Sequence, residues 1–172
     1  MTVLFLGGTG TISTACAALV ADRSHDLTLV TRGHNDHRAP AGAEVLHADV
    51  LDLAALAAAL SGRTFDVVVD WVAFTPDHVA DDLRLFAGQT GKLVFISSAS
   101  AYQTPPQSLP VTEGTPLDNP VWTYAQNKIA CERRFGAARD KGVTVVRPSH
   151  TYAPWAPPLR GGYTVLDRLR RG

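Results

Sequence analysis

Along the chain, short runs of β-branched and aliphatic residues alternate with longer amphipathic or Ala-rich stretches. The runs fall at 3–6, 27–30, 44–47, 67–69, 93–96 and 143–146. Several are continuous hydrophobics, the pattern of parallel strands covered on both faces. Between them, 11–23, 53–60, 77–87 and 122–141 carry helical patterns. Strand–helix alternation of this kind predicts an α/β fold with a doubly wound parallel sheet. The link 31–43 has no convincing helix, and its Gly33, Pro40 and Gly42 predict a loop or one short turn. Two longer segments are loops by composition: 103–120 with five prolines, and 148–162 with four prolines and two glycines. A short helical tail follows from Tyr163. The organisation read from this pattern is one domain over 1–162 and a helical tail over 163–172.

Composition narrows the function. The chain has 172 residues, 45% of them hydrophobic, and its 16 basic residues balance 16 acidic ones. A zero formal charge gives no global attraction to nucleic acid. No apolar run approaches the roughly 20 residues of a membrane span, and no charged leader precedes the first strand, so the reading is a cytoplasmic protein with no membrane partner. Cys16 and Cys131 lie far apart in predicted helices, as buried thiols of a reducing compartment do. The six histidines show no ligand spacing, so no metal site is expected.

Chemistry concentrates at strand ends. Directly after the first run comes Gly7-Gly8-Thr9-Gly10-Thr11-Ile12-Ser13, opening a helix. Glycines let the chain turn sharply and let backbone approach a pyrophosphate, and the helix N-terminus offers N–H groups to that anion. The strand–turn–helix context is what makes such a string a dinucleotide loop, here with Ser13 at the third glycine's place. At the end of the second run, Thr31-Arg32 stand where an acidic residue would read the ribose of NAD. No carboxylate occurs there, and Arg32 suits a 2′-phosphate, which favours NADP over NAD. Asp49-Val50, after the third run, are placed to meet the adenine; a turn-capping aspartate is the competing role.

The most informative string is Tyr124-Ala125-Gln126-Asn127-Lys128. Positions i and i+4 share a helix face, so hydroxyl and ammonium can serve one site. A neighbouring cation favours phenolate and makes Tyr124 a better acid–base group. The Ser97-Ser98-Ala99-Ser100-Ala101-Tyr102 segment ends the fifth run, where strand C-termini line a ligand crevice.

Taken together, Gly7 to Gly10, Asp49, Ser97-Ser98 with Tyr102, Tyr124 to Lys128, and Arg147-Pro148 resemble the extended short-chain dehydrogenases/reductases, the NAD-dependent epimerase/dehydratase group. The resemblance covers essentially the whole chain. It implies a Rossmann fold and an NAD(P)-dependent oxidoreductase or epimerase acting on a sugar-like alcohol or ketone, with a nucleotide-sugar as small-molecule substrate. It makes Ser98 the residue that orients the reacting oxygen and Tyr124 the proton donor or acceptor. Lys128 then holds the nicotinamide ribose and lowers the Tyr pKa. It puts Pro148 and His150 in the loop beneath the nicotinamide carboxamide. Ser100 is neither Asp nor Glu, which speaks against a dehydratase. The family commonly pairs through the helices predicted at 77–87 and 122–141, so a homodimer is a further expectation. Members usually run to about twice this length, with a substrate domain after the sixth strand. A non-catalytic NAD(P)-binding module is therefore the alternative reading.

Overall fold

The computed structural model describes residues 1–138 and 142–171. Six strands form one sheet: β1 (Thr2–Leu6), β2 (Asp26–Thr31), β3 (Glu44–His47), β4 (Phe65–Asp70), β5 (Thr90–Ile96) and β6 (Val143–Val146). They lie in the order β3-β2-β1-β4-β5-β6, every neighbour parallel. The order reverses between β1 and β4, and the crevice over their C-terminal ends is where open α/β sheets bind ligands. The predicted α/β class and doubly wound parallel sheet are those of the structure, and each predicted run lies within an observed strand.

Among the described residues five helices connect or follow the strands: α1 (Ser13–Asp22), α2 (Leu53–Ala59), α3 (Pro76–Leu85), α4 (Thr123–Gly136) and α5 (Tyr163–Arg171). Helix α1 starts two residues later than its apolar pattern, because Gly10 to Ile12 are spent on the turn. Helix α4 stops at Gly136 rather than running on; the predicted end at Lys141 lies outside the described residues. The link between β2 and β3 contains a single 3-10 turn, Asp36–Arg38, the short turn its glycines and proline predict.

Two apolar layers hold the helices to the sheet. On one side Leu4, Leu6, Val68, Leu93 and Phe95 of the strands meet Leu56 of α2, Val79 of α3 and Phe135 of α4. The Phe95 and Phe135 rings pack 4.8 Å apart, a contact worth roughly 0.5–1.5 kcal/mol beyond its buried area. On the other side Val3, Phe5, Leu27 and Leu29 pack on Ala17 of α1, whose small side chain lets the helix lie close. This layering fixes α4 across β5, so that its N-terminal half overhangs the strand ends.

Candidate active site

The glycine loop is shaped by its neighbours. Gly7 and Gly8 have φ of +93° and +130°, a region that L side chains seldom occupy. A Cβ on Gly8 would stand 2.7 Å from Leu29 Cδ2. Ser13 has a structural use at the third glycine's place: it is buried, and its hydroxyl accepts from the Gly10 N–H at 2.9 Å. Thr14 donates to the Gly10 carbonyl at 2.8 Å. The loop is thus tied down on the inside and open on the outside, a cradle a side chain would fill, which fits a pyrophosphate at a helix N-terminus.

A cleft of about 550 Å³ runs from this loop across the strand ends. Its wall includes Gly7, Gly8, Thr9, Gly10, Thr11 and Ile12 at one end. Thr31, Arg32 and Val50 lie beyond β2 and β3, and Ser97, Ser98, Tyr124, Lys128 and Pro148 lie toward β5 and β6. The fold therefore brings together residues from positions 7 to 148. Two predicted residues are not on the wall. Asp49 is exposed and accepts from the Leu51 N–H at 3.0 Å, the turn-capping role weighed against adenine contact. His150 is exposed beside Ser149, its Nδ1 3.5 Å from the Ser149 hydroxyl. A carboxylate does come back to the end of β2, but from further along. Asp36 accepts from the Thr31 hydroxyl at 2.8 Å and pairs with His47 at 2.6 Å, and those two contacts hold its carboxyl below the usual range.

Tyr124 and Lys128 both stand on the N-terminal half of α4, a helix with one buried stripe. Ala125, Lys128, Ile129, Cys131, Glu132 and Phe135 are its core-facing positions, spaced as one helix face. Two of the six are charged. A cation and an anion at core positions of an amphipathic helix need partners, or they would cost several kcal/mol. Lys128 is 2% exposed, and its ammonium donates to the Ala73 carbonyl at 2.7 Å and the Ile96 carbonyl at 2.8 Å. Among the described residues the ammonium has no third acceptor, and Lys128 lines the cleft. The rings of Phe74, Phe95 and Tyr124 surround it at 4.7, 4.8 and 5.9 Å. Burial lowers the Lys128 pKa from its ordinary value, against the opposing pull of Asp70, Cys131 and Glu132.

Glu132 is the partner of the strand ends. Its carboxylate accepts from the Ser97 hydroxyl at 2.5 Å and from Arg147 at 2.8 and 2.5 Å. Arg147 donates on to the Tyr102 hydroxyl at 3.0 Å, and the Glu132 contact raises its pKa further. This network fixes Ser97, and with it the neighbouring Ser98. The Ser98 oxygen accepts from the Ser100 N–H at 3.2 Å and contacts the Ser100 hydroxyl at 2.9 Å. These contacts hold the Ser98 hydroxyl on the cleft wall.

Sequence reading missed Glu132, whose signal was present: it is the third member of the 124, 128, 132 face. It also missed Arg38, which donates to the Thr9 carbonyl at 3.3 Å and stacks on Trp155 at 4.6 Å. Those contacts link the glycine loop to the segment after β6, and no local pattern announces them. Among the described residues no group of three or more His, Cys, Asp or Glu is placed to hold a metal. No helix among them is long and apolar enough to cross a membrane.

A glycine cradle at a switch point, opening on the same cleft as Ser98, Tyr124 and Lys128, has the form of a dinucleotide-binding domain. A family model described as NAD(P)H-binding matches residues 7–169, and the chain belongs to that family. Among curated proteins it is 28% identical to a 3-diazoavenalumate denitrifying reductase from a Streptomyces species, over 98% of this chain and 62% of that protein. It is also 28% identical to the UDP-glucose 4-epimerase of Lactobacillus helveticus, over 77% of this chain and 46% of that one. The chain thus spans about half the length of the curated relatives it matches. Among solved structures, the Bifidobacterium longum UDP-glucose 4-epimerase in complex with NAD+ and UDP superposes with a TM-score of 0.71. That match has 21% identity and covers 86% of this chain and 52% of the other.

Proposed function

We propose that this chain is the cofactor-binding and proton-transferring part of an NAD(P)-dependent oxidoreductase or epimerase. Its substrate is an alcohol or ketone, with a nucleotide-linked sugar as first candidate by analogy with its epimerase relatives. The observation that carries the reading is Lys128. A fully buried ammonium is expensive, and this one is fixed by two carbonyls on the wall of the cleft with Tyr124 beside it. A purely structural core would place an aliphatic residue there.

Nicotinamide, when bound, supplies or accepts the hydride. The chain's residues do the rest. Gly7 to Ile12 bind the pyrophosphate with backbone N–H groups, and Lys128 holds a ribose hydroxyl with its free N–H. Ser98 donates a hydrogen bond to the substrate oxygen, and Tyr124 passes a proton to or from that oxygen, a step worth roughly 10²–10⁴ in rate. The Lys128 ammonium stands 5.9 Å from the centre of the Tyr124 ring, beside the group that moves the proton. Arg32, exposed on the cleft wall beyond β2, meets a 2′-phosphate and favours NADP.

Calorimetry with NADP(H) and NAD(H), on the chain and on Tyr124→Phe and Arg32→Ala, tests this. Tyr124→Phe keeps cofactor affinity and loses hydride transfer; transfer at the original rate in that variant removes the assignment. Arg32→Ala loses about 1.5–3 kcal/mol of NADP affinity, the strength of a hydrogen bond to a charged group, and little NAD affinity. Equal losses for both cofactors exclude phosphate recognition by Arg32. Cofactor binding with no transfer to any carbonyl substrate makes the chain a binding module.

A further inference from the structure

Two carboxyl groups are buried where the turn after β4 meets α3. Asp70 is 1% exposed and Asp82 is 7% exposed, and in each the Oδ2 atom is buried with no hydrogen-bond partner among the described residues. The two side chains are within hydrogen-bonding reach of each other, and both line a cavity of about 20 Å³ with His78 and Asp81. Two carboxylates facing one another away from water are unfavourable twice over, through repulsion and through lost hydration. One proton between them removes both problems, because it cancels a charge and turns an acceptor into a donor. His78 does not supply that donor: its Nδ1 accepts from the Phe74 N–H at 3.2 Å, and among the described residues it makes no bond to either carboxyl. The remaining charged and titratable groups that face the pair are Asp81 on α3 and Lys128 and Cys131 on α4.

We propose that Asp70 and Asp82 are a proton-sharing acid pair that positions Lys128. The connection is a chain of contacts. Asp70 Oδ1 accepts from the Val72 and Ala73 N–H groups at 2.7 and 3.0 Å, which sets the turn after β4. The Ala73 carbonyl in that turn accepts from the Lys128 ammonium, and Phe74, the next residue, packs on Lys128 and on Tyr124. With the proton in place, Asp70 stays against the turn and the ammonium keeps its acceptor. Without it, a second anion pushes Asp70 away and the turn loosens. Burial, followed by the charge and hydrogen bond of Asp70, pushes the Asp82 carboxyl well above its ordinary range, so the pair holds its proton where free carboxylates have lost theirs.

The test compares the chain with Asp82→Asn, whose amide gives Asp70 a permanent N–H donor. Asp82 binds its proton more tightly in the folded chain than at the unfolded value of 3.8. Folded protein therefore carries an extra proton above that pH, and its stability falls as pH rises from there through the raised native value, then levels. Asp82→Asn lacks this loss, so its Tm advantage over the natural chain widens across that window. Parallel curves overturn the pair. Carbon NMR titration of the aspartate carboxyls needs no variant: one resonance titrating far above the others is expected, and all titrating in the usual range overturns the proposal. The positioning role rests on the reading of Lys128 as a cofactor residue, and NAD(P)H titrations across the pH range in which NMR shows the pair losing its proton examine it. Affinity in the natural chain weakens several-fold as the proton leaves and stays level in Asp82→Asn. The same pH dependence in both proteins overturns the link to Lys128. Absence of binding in both removes that link together with the cofactor reading, while the stability and NMR results still decide the pair.

Discussion

Replacing Glu132 with alanine measures how much the strand-end network contributes. The side chain is 5% exposed and Arg147, its partner, 22%, so neither charge is well hydrated in the fold. Removing one member of a buried ion pair costs about 3–5 kcal/mol, because the other charge remains without compensation. Arg147 keeps some contact with water and its bond to Tyr102, which places the loss near the lower limit. The Ser97 hydroxyl also loses its acceptor, and that adds about 1 kcal/mol or more. The expected total is about 3–5 kcal/mol. At roughly 2–4 °C per kcal/mol for a chain of this size, Tm falls by about 6–20 °C. Urea unfolding followed by tryptophan fluorescence gives the free energy directly. The double variant Glu132→Met with Arg147→Met loses less than Glu132→Ala, since it leaves no orphaned charge. A loss below about 1 kcal/mol for Glu132→Ala refutes the reasoning, because it would mean the pair is solvated and the network decorative.

Gly8→Ala places a methyl against Leu29 at a φ that L residues avoid. Backbone strain and overpacking each contribute about 1–3 kcal/mol, and calorimetry shows cofactor affinity falling along with stability; unchanged affinity removes Gly8 from the cradle. The Cys131 thiol is fully buried, and burial pushes its pKa up to about 11. It therefore stays protonated at any pH below that value and escapes a thiol reagent at mildly alkaline pH until the chain unfolds. Prompt native labelling of both cysteines contradicts this.

The sheet was legible because each strand is a short local run of aliphatic residues, and local runs need no knowledge of their neighbours. The glycine loop was legible for a similar reason: Gly7 and Gly8 follow a strand and open a helix within seven residues. Tyr124 and Lys128 were legible because i, i+4 spacing defines a helix face whatever that face meets. That face includes Glu132, which was visible and passed over, since a charged residue on a helix reads as solvent-exposed until the sheet is known to cover it. What no local pattern could decide is which distant groups meet. Arg38 reaches Thr9 and Trp155, Asp36 returns to Thr31 and His47, and Lys128 finds the carbonyls of Ala73 and Ile96 only because β4, β5 and α4 are stacked in this order. Asp82 is the clearest case. On its own helix it is one of two adjacent aspartates with nothing to distinguish it. Packing α3 against the end of β4 turns it inward onto Asp70, and burial then changes its chemistry, because the energy of a carboxyl group depends on the solvent and charges around it rather than on its sequence neighbours.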